Sequence, residues 1–103
     1  MSNGNSINFI DGGATETYKL RLFVTGSSPV SVRAITNLKS ILDSHLKDNY
    51  DLEIIDVHQQ PKMVTNEDVT AVPMLIKKSP FPVKRLVGDM SETDKVLKGL
   101  GLL

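Results

Sequence analysis

Tyr18-Lys19-Leu20-Arg21-Leu22-Phe23-Val24 runs directly into Thr25-Gly26-Ser27-Ser28-Pro29, and this junction decides how the rest of the chain is read. Tyr18, Leu20, Leu22 and Val24 alternate with Lys19, Arg21 and Phe23, the period of a strand with two distinct faces. Gly26 and Pro29 end that strand. Ser27 or Ser28 can cap a helix, and Pro29 suits its first turn, where a missing N–H removes no intrahelical bond. Val32, Ile35, Leu38, Ile41, Leu42, His45 and Leu46 then recur at spacings of three and four, which predicts a helix with an apolar stripe ending near Asp48-Asn49.

Beyond it, Leu52, Ile54, Ile55 and Val57 form a near-continuous apolar run, the pattern of a strand covered on both faces. Strand, crossover helix and strand in one sheet make a right-handed parallel unit. A weaker helical stretch spans Pro61 to Asp68; Met74 to Lys77 read as a strand, Ser79-Pro80-Phe81-Pro82 as a turn and Val83 to Val87 as a returning strand. Gly88-Asp89 stops that strand, and Ser91 is the expected cap of a last helix carrying Val96, Leu97 and Leu100. The order is β-α-β-α-β-β-α, an α/β fold with no internal repeat. Residues 1–16 offer only Ile7-Asn8-Phe9-Ile10 for burial, so they are expected to form a disordered tail ahead of one domain over 17–103.

A length of 103 residues suits a single modest core. Twelve basic and twelve acidic residues leave no net charge, which removes the counterion-release affinity expected of a nucleic-acid binder. Cysteine is absent, so disulfides, thiolate nucleophiles and thiolate-bound metals are excluded, in keeping with a cytoplasmic protein. Neither a basic leader nor an apolar run of about 20 residues is present, so export and a membrane span are not expected. His45 and His58 lack partners at ligand spacing, and no metal or cofactor is expected. Asp89, Glu92 and Asp94 fit a helix N-terminus, where the macrodipole favours negative charge, and no catalytic role is assigned to them.

The element order, with Val72-Pro73 entering the third strand, is similar to the thioredoxin fold, whose proline at this point is commonly cis. That context sets cis and trans on even terms, against a base rate of about 5% cis for X-Pro bonds. Where thioredoxins place redox cysteines, this chain has Gly26-Ser27-Ser28-Pro29. A more specific resemblance covers nearly all of 17–103. Thr17 to Gly26, Ser31-Val32-Arg33-Ala34, Ile55-Asp56-Val57 followed by Pro61, Ala71-Val72-Pro73, and Pro82-Val83-Lys84-Arg85-Leu86-Val87-Gly88-Asp89-Met90-Ser91 together resemble the KaiB family of bacterial clock proteins.

That resemblance implies a non-enzymatic protein that binds a KaiC-type ATPase ring and, through that complex, regulators of the KaiA-like or histidine-kinase and phosphatase kind. It also implies two folds: a thioredoxin-like monomer, and a ground-state homotetramer with a rearranged C-terminal half, a pair that must lie within a few kcal/mol. Local signals over Met74 to Val87 and from Ser91 onward favour the thioredoxin-like form, because the rearranged form needs a helix around Val72 to Ile76 despite Pro73. The family's switch positions correspond to Tyr18, Gly99 and Gly101. Each glycine costs a helix about 0.5 to 1 kcal/mol relative to alanine. Position 101 is more often Asp in the family.

Ring contact in the family maps to residues 51–68. Asp51, Glu53, His58, Gln60 and Lys62 form the first part of this expected partner surface, and Met63, Asn66, Glu67 and Asp68 the second. Lysines are common in relatives where this chain has Glu53 and Asp68, and such reversals disfavour an acidic partner surface. Arg21, Arg33, Lys84 and Arg85 keep the family's basic character; an ordinary solvated charged face explains them equally well. Two other functions stay open: a thioredoxin-fold adaptor for a different client, and a small glutathione-binding transferase-like enzyme using Ser27 or Ser28 with Asp89-Met90-Ser91.

Overall fold

The computed structural model describes residues 17–103, and the expected tail over 1–16 lies outside the described residues. Strand β1 (Tyr18–Val24) leads into α1 (Pro29–His45), β2 (Tyr50–Asp56), α2 (Pro61–Asn66), β3 (Met74–Ser79), β4 (Lys84–Val87) and α3 (Thr93–Leu100). They build one four-stranded sheet in the order β2-β1-β3-β4. β1 and β2 are parallel, whereas β3 is antiparallel to both β1 and β4. This is the expected β-α-β-α-β-β-α thioredoxin-like arrangement.

Alternation in β1 divides the core in two. Tyr18, Leu20, Leu22 and Val24 pack with Ala34, Leu38, Ile41 and Leu42 of α1 and with Val96, Leu97 and Leu100 of α3. On the opposite face Phe23, Ile55, Met74 and Ile76 form a smaller cluster, closed by Met63, Val69 and Val72. Ser28 caps α1: its Oγ accepts from the N–H of Ser31, and the Ser31 Oγ accepts from the N–H of Thr25. That second bond fixes the angle between strand and helix, and it explains a fully buried serine.

Several expectations require correction. β2 lies at an edge of the sheet and is not covered on both faces; Ile54 is 39% exposed, and only Ile55 is fully buried. The apolar run reflects one residue per face reaching a core, with the outer edge left open. Within α1, Val32 and His45 face solvent, because the buried line runs through Ser31, Ala34, Leu38, Ile41 and Leu42. The small residues Ser31 and Ala34 let the helix approach the sheet, a signal that apolar counting overlooks. α1 also ends at His45, short of Asp48-Asn49, and Lys47 takes φ 55°. α2 stops at Asn66, and Asp68 follows at φ 56°. Ser91 does not cap α3. Its N–H donates to Asp89 Oδ1 in a tight local turn, and the helix begins two residues later with Glu92 at the cap position. The peptide bonds preceding Pro73, Pro80 and Pro82 are all cis.

Candidate functional site

The segment 51–68 forms one corner of the molecule, running up the edge strand β2, across a short connection and through α2. Met63 turns inward onto the Phe23, Ile55, Met74 and Ile76 cluster and anchors α2 to the sheet. Lys62 and Asn66 remain exposed, with Pro61 and Thr65 beside them. His58 and Gln60 are exposed in the connection: the His58 N–H donates to Asp56 Oδ1 at 2.9 Å, and the Gln60 N–H to the Asp56 carbonyl at 3.0 Å. The Gln60 side chain makes no capping bond, so it is free to meet a partner.

The acidic residues of this corner divide into engaged and open groups. Glu67 is the hub, with a side chain only 12% exposed. Both of its oxygens accept from Lys78 Nζ at 2.9 Å, and Arg21 Nη1 donates to Oε2. Arg21 Nε also donates to Glu53 Oε1 at 3.0 Å. The Lys78 hydrogen bond, aided by the charges of Lys78 and Arg21, holds the Glu67 carboxyl below its ordinary range against an opposing push from burial. Asp51 and Asp68 stay exposed, and the Asp68 carbonyl accepts from Arg85 Nη1 at 3.3 Å. Glu53 and Glu67 are therefore mainly internal ties between β1, β2, β3 and the end of α2. Asp51 and Asp68 are the carboxylates presented outward.

The four basic residues do not share a face. Arg21 and Arg85 project from the sheet side that carries α2, in register through Ile76. Arg33 lies on α1 across the sheet and pairs with Asp89 at 3.5 Å. Lys84 sits opposite Lys77 in the β3–β4 ladder. In contrast, Tyr18, Gly99 and Gly101, three of the positions expected to poise a switch, converge. The Tyr18 hydroxyl donates to the carbonyl of Leu100, the residue between Gly99 and Gly101. Pro73 stands apart from them, beside Met74 and hence near Phe23 at the far end of β1, where its carbonyl accepts from the Gly88 N–H.

Around the turn after β1, the Ser28 and Ser31 hydroxyls bond to each other at 2.9 Å, so Ser28 is committed to the helix start, while Ser27 is exposed. A cavity of about 50 Å³ lies beside Gly88, Asp89, Met90 and Ser91. Ligand pockets commonly measure about 300 to 1,000 Å³, so this cavity does not favour the glutathione reading. Asp89 is held below its ordinary range, chiefly by the Ser91 side-chain and backbone hydrogen bonds, with help from Arg33. Among the described residues no group of three or more His, Cys, Asp or Glu could hold a metal ion, and no helix is long and apolar enough to cross a membrane.

Lys78 secures the hub carboxylate, yet no sequence motif marks it. Its partner lies 11 residues away and that of Arg21 lies 46 away, so no local spacing announces the cluster. Val32, on the expected apolar stripe, is instead exposed, and Phe81 stands 84% exposed in its turn.

A family model described as the KaiB domain matches residues 21–102. The Circadian clock oscillator protein KaiB of Prochlorococcus marinus subsp. pastoris is 46% identical over 90 residues, covering 87% of this chain and 84% of its own length. Its namesake from Picosynechococcus is 46% identical over 88 residues, with 85% of each chain covered. Among solved structures, the N-terminal domain of Synechococcus elongatus SasA superposes with TM-score 0.70 at 22% identity, covering 92% of this chain and 93% of that domain. Mitochondrial thioredoxin 3 from Saccharomyces cerevisiae gives TM-score 0.68 at 14% identity, with 86% and 81% covered. The two structural likenesses establish the fold.

Proposed function

The chain belongs to the KaiB family, and from that premise we propose that it is a non-enzymatic clock regulator that docks on a KaiC-type ATPase ring and modulates its phosphorylation and ATPase cycle. The observation carrying this reading is the build of α2. Met63 packs the helix against the sheet while Lys62, Asn66, His58 and Gln60 stand exposed, so the segment is anchored yet has polar side chains to spare. An anchored backbone lowers the ordering cost of docking. The complex then recruits KaiA-like or histidine-kinase and phosphatase regulators, and the setting is the cytoplasm. The names of the curated relatives support a clock role, and the cysteine-free turn after β1 accords with an absence of redox chemistry.

The same proposal includes a second fold. Tyr18, Gly99 and Gly101 meet at the end of α3, where one hydrogen bond and two glycines set how firmly the C-terminal helix is held. A homotetramer with a rearranged C-terminal half is the competing state.

A different client is the second reading, and the exposed Asp68 favours it, since it presents negative charge where the family resemblance leads one to expect lysine. Binding of the purified chain to the KaiC-type ATPase encoded in the same genome separates the two. Saturable binding at low and moderate salt, with a change in ATPase rate or phosphorylation, is the expected result; no binding at either salt overturns the ring-docking reading.

A further inference from the structure

Among the described residues, the turn joining β3 to β4 ends in an uncovered apolar tip. Phe81 is 84% exposed and Val83 45%, Pro82 is exposed between them, and neither Phe81 nor Val83 packs against a core cluster. Pro80 and Pro82 have no N–H to offer, so the tip presents hydrocarbon with few hydrogen-bond donors. A single exposed apolar side chain is ordinary; three in succession on a protruding turn make a patch that favours an occupant.

We propose that the occupant is this chain's own Ile7-Asn8-Phe9-Ile10, which lies outside the described residues and is the one apolar run before Thr17. Strand register brings the two within reach. Lys19 is the partner of Ser79, the last residue of β3, so the chain enters β1 at the end of the sheet where the tip stands. From β1 across β3 to β4 is two strand spacings, about 10 Å. The steps from Ile10 to Thr17 can span up to about 23 Å, more than twice that separation.

Charge agrees with this placement. Residues 1–16 contain Asp11 and Glu16 but no lysine or arginine. The tip is flanked by Lys84 and, on β1, by Lys19, both exposed and both without an ion pair among the described residues. With Ile10 against Val83, Asp11 comes to the Lys84 side of the tip. A short tether also supplies an effective concentration of about millimolar, so a patch too small to hold a separate peptide can still hold this one. A second copy or another protein lacks that advantage. The pairing does not depend on the ring-docking reading.

The absence of cysteine makes the test direct, because Ser6→Cys in the full chain gives a single attachment point for a nitroxide spin label. Proton–nitrogen NMR spectra should then show the amides of Phe81, Val83 and Lys84 broadened, while those of Val24 and Gly88, at the far end of the sheet, stay sharp. Combining the label with Ile7→Ser, Phe9→Ser and Ile10→Ser keeps the tether length and lies outside the folded core, and it should abolish the broadening. Phe81→Ser, at an exposed position, should do the same with the native tail. Broadening that survives these substitutions reflects only the nearness of the tether and overturns the inference, as does the absence of broadening in the labelled native tail. Mixing isotope-labelled chains that carry no nitroxide with nitroxide-labelled chains that carry no isotope should leave the same amides sharp. Equal broadening in that mixture would identify a second copy as the occupant and would also overturn it.

Discussion

The Tyr18 hydroxyl donates to the Leu100 carbonyl at 3.0 Å, joining the first residue of β1 to the last residue of α3 across 82 positions of sequence. The bond is buried, and it satisfies one of the carbonyls that every helix C-terminus leaves without an intrahelical partner. Tyr18→Phe removes the donor and leaves that carbonyl without its partner. The expected loss is about 1 to 2 kcal/mol, read as a lower denaturation midpoint at unchanged slope. Faster amide exchange should be concentrated in residues 93–102. Uniform acceleration across β1 and α1 as well would contradict a local role for this bond.

The two glycines flanking Leu100 behave differently. Gly101 ends α3 at φ 78°, so Gly101→Ala places a side chain in the left-handed region at a cost of about 1 to 2 kcal/mol. At Gly99 a Cβ would lie 2.7 Å from Leu86 Cδ1 and 2.9 Å from Cδ2. The alanine gains about 1 kcal/mol of helix propensity but must displace Leu86, and overpacking commonly costs about 1 to 3 kcal/mol. Gly99→Ala is therefore expected to destabilise in the native background and to become neutral or stabilising alongside Leu86→Ala. A double-mutant cycle by chemical denaturation reads the coupling directly.

Glu67 makes stability depend on pH on the acid side. Its folded-state pKa is lowered, chiefly by the Lys78 hydrogen bond, so folding favours the carboxylate over the acid. The contribution is complete above the ordinary glutamate value of about 4.3 and is lost as pH falls through the depressed folded value. Denaturation midpoints between pH 7 and pH 3 should decline most steeply below about pH 4.3. In Glu67→Gln that decline should be shallower and neutral-pH stability lower, because Arg21 and Lys78 lose their shared anion. An unchanged acid limb in the variant would remove Glu67 from the account.

The junction Val24 to Pro29 was legible because strand alternation, a helix cap and a first-turn proline agree on one structure within a dozen residues. The element order followed from equally local signals. Less legible was what the sheet order decides: the run at Leu52 to Val57 reads as central, yet β2 is an edge, and nothing within the strand records its neighbours. Ser91 shows a similar competition. It has the composition of a cap, but Asp89 takes its N–H first and moves the helix start onward. Within the segment 51–68, the internal ties became visible only in the structure. Glu53 and Glu67 are held by Arg21 and Lys78 across separations that no periodic pattern encodes.

That difference separates two charge reversals that look alike in the sequence. Asp68 is exposed, follows α2 and makes no ion pair among the described residues, so Asp68→Lys should cost no more than about 0.5 kcal/mol, most of it from placing lysine at φ 56°, where aspartate is better tolerated. Glu53→Lys instead brings a cation to Arg21 in place of its 3.0 Å partner. It should cost more than Asp68→Lys, although the exposed half of that pair keeps the loss modest, about 1 kcal/mol or less. If the partner is a ring with an acidic docking surface, Asp68→Lys should tighten binding by about three- to tenfold, mainly through a faster association that weakens with salt. Surface plasmon resonance at two ionic strengths, paired with denaturation curves for each variant, separates the effect on the partner from that on the fold. Weaker binding by the Asp68→Lys protein would instead identify a partner that presents positive charge to this corner.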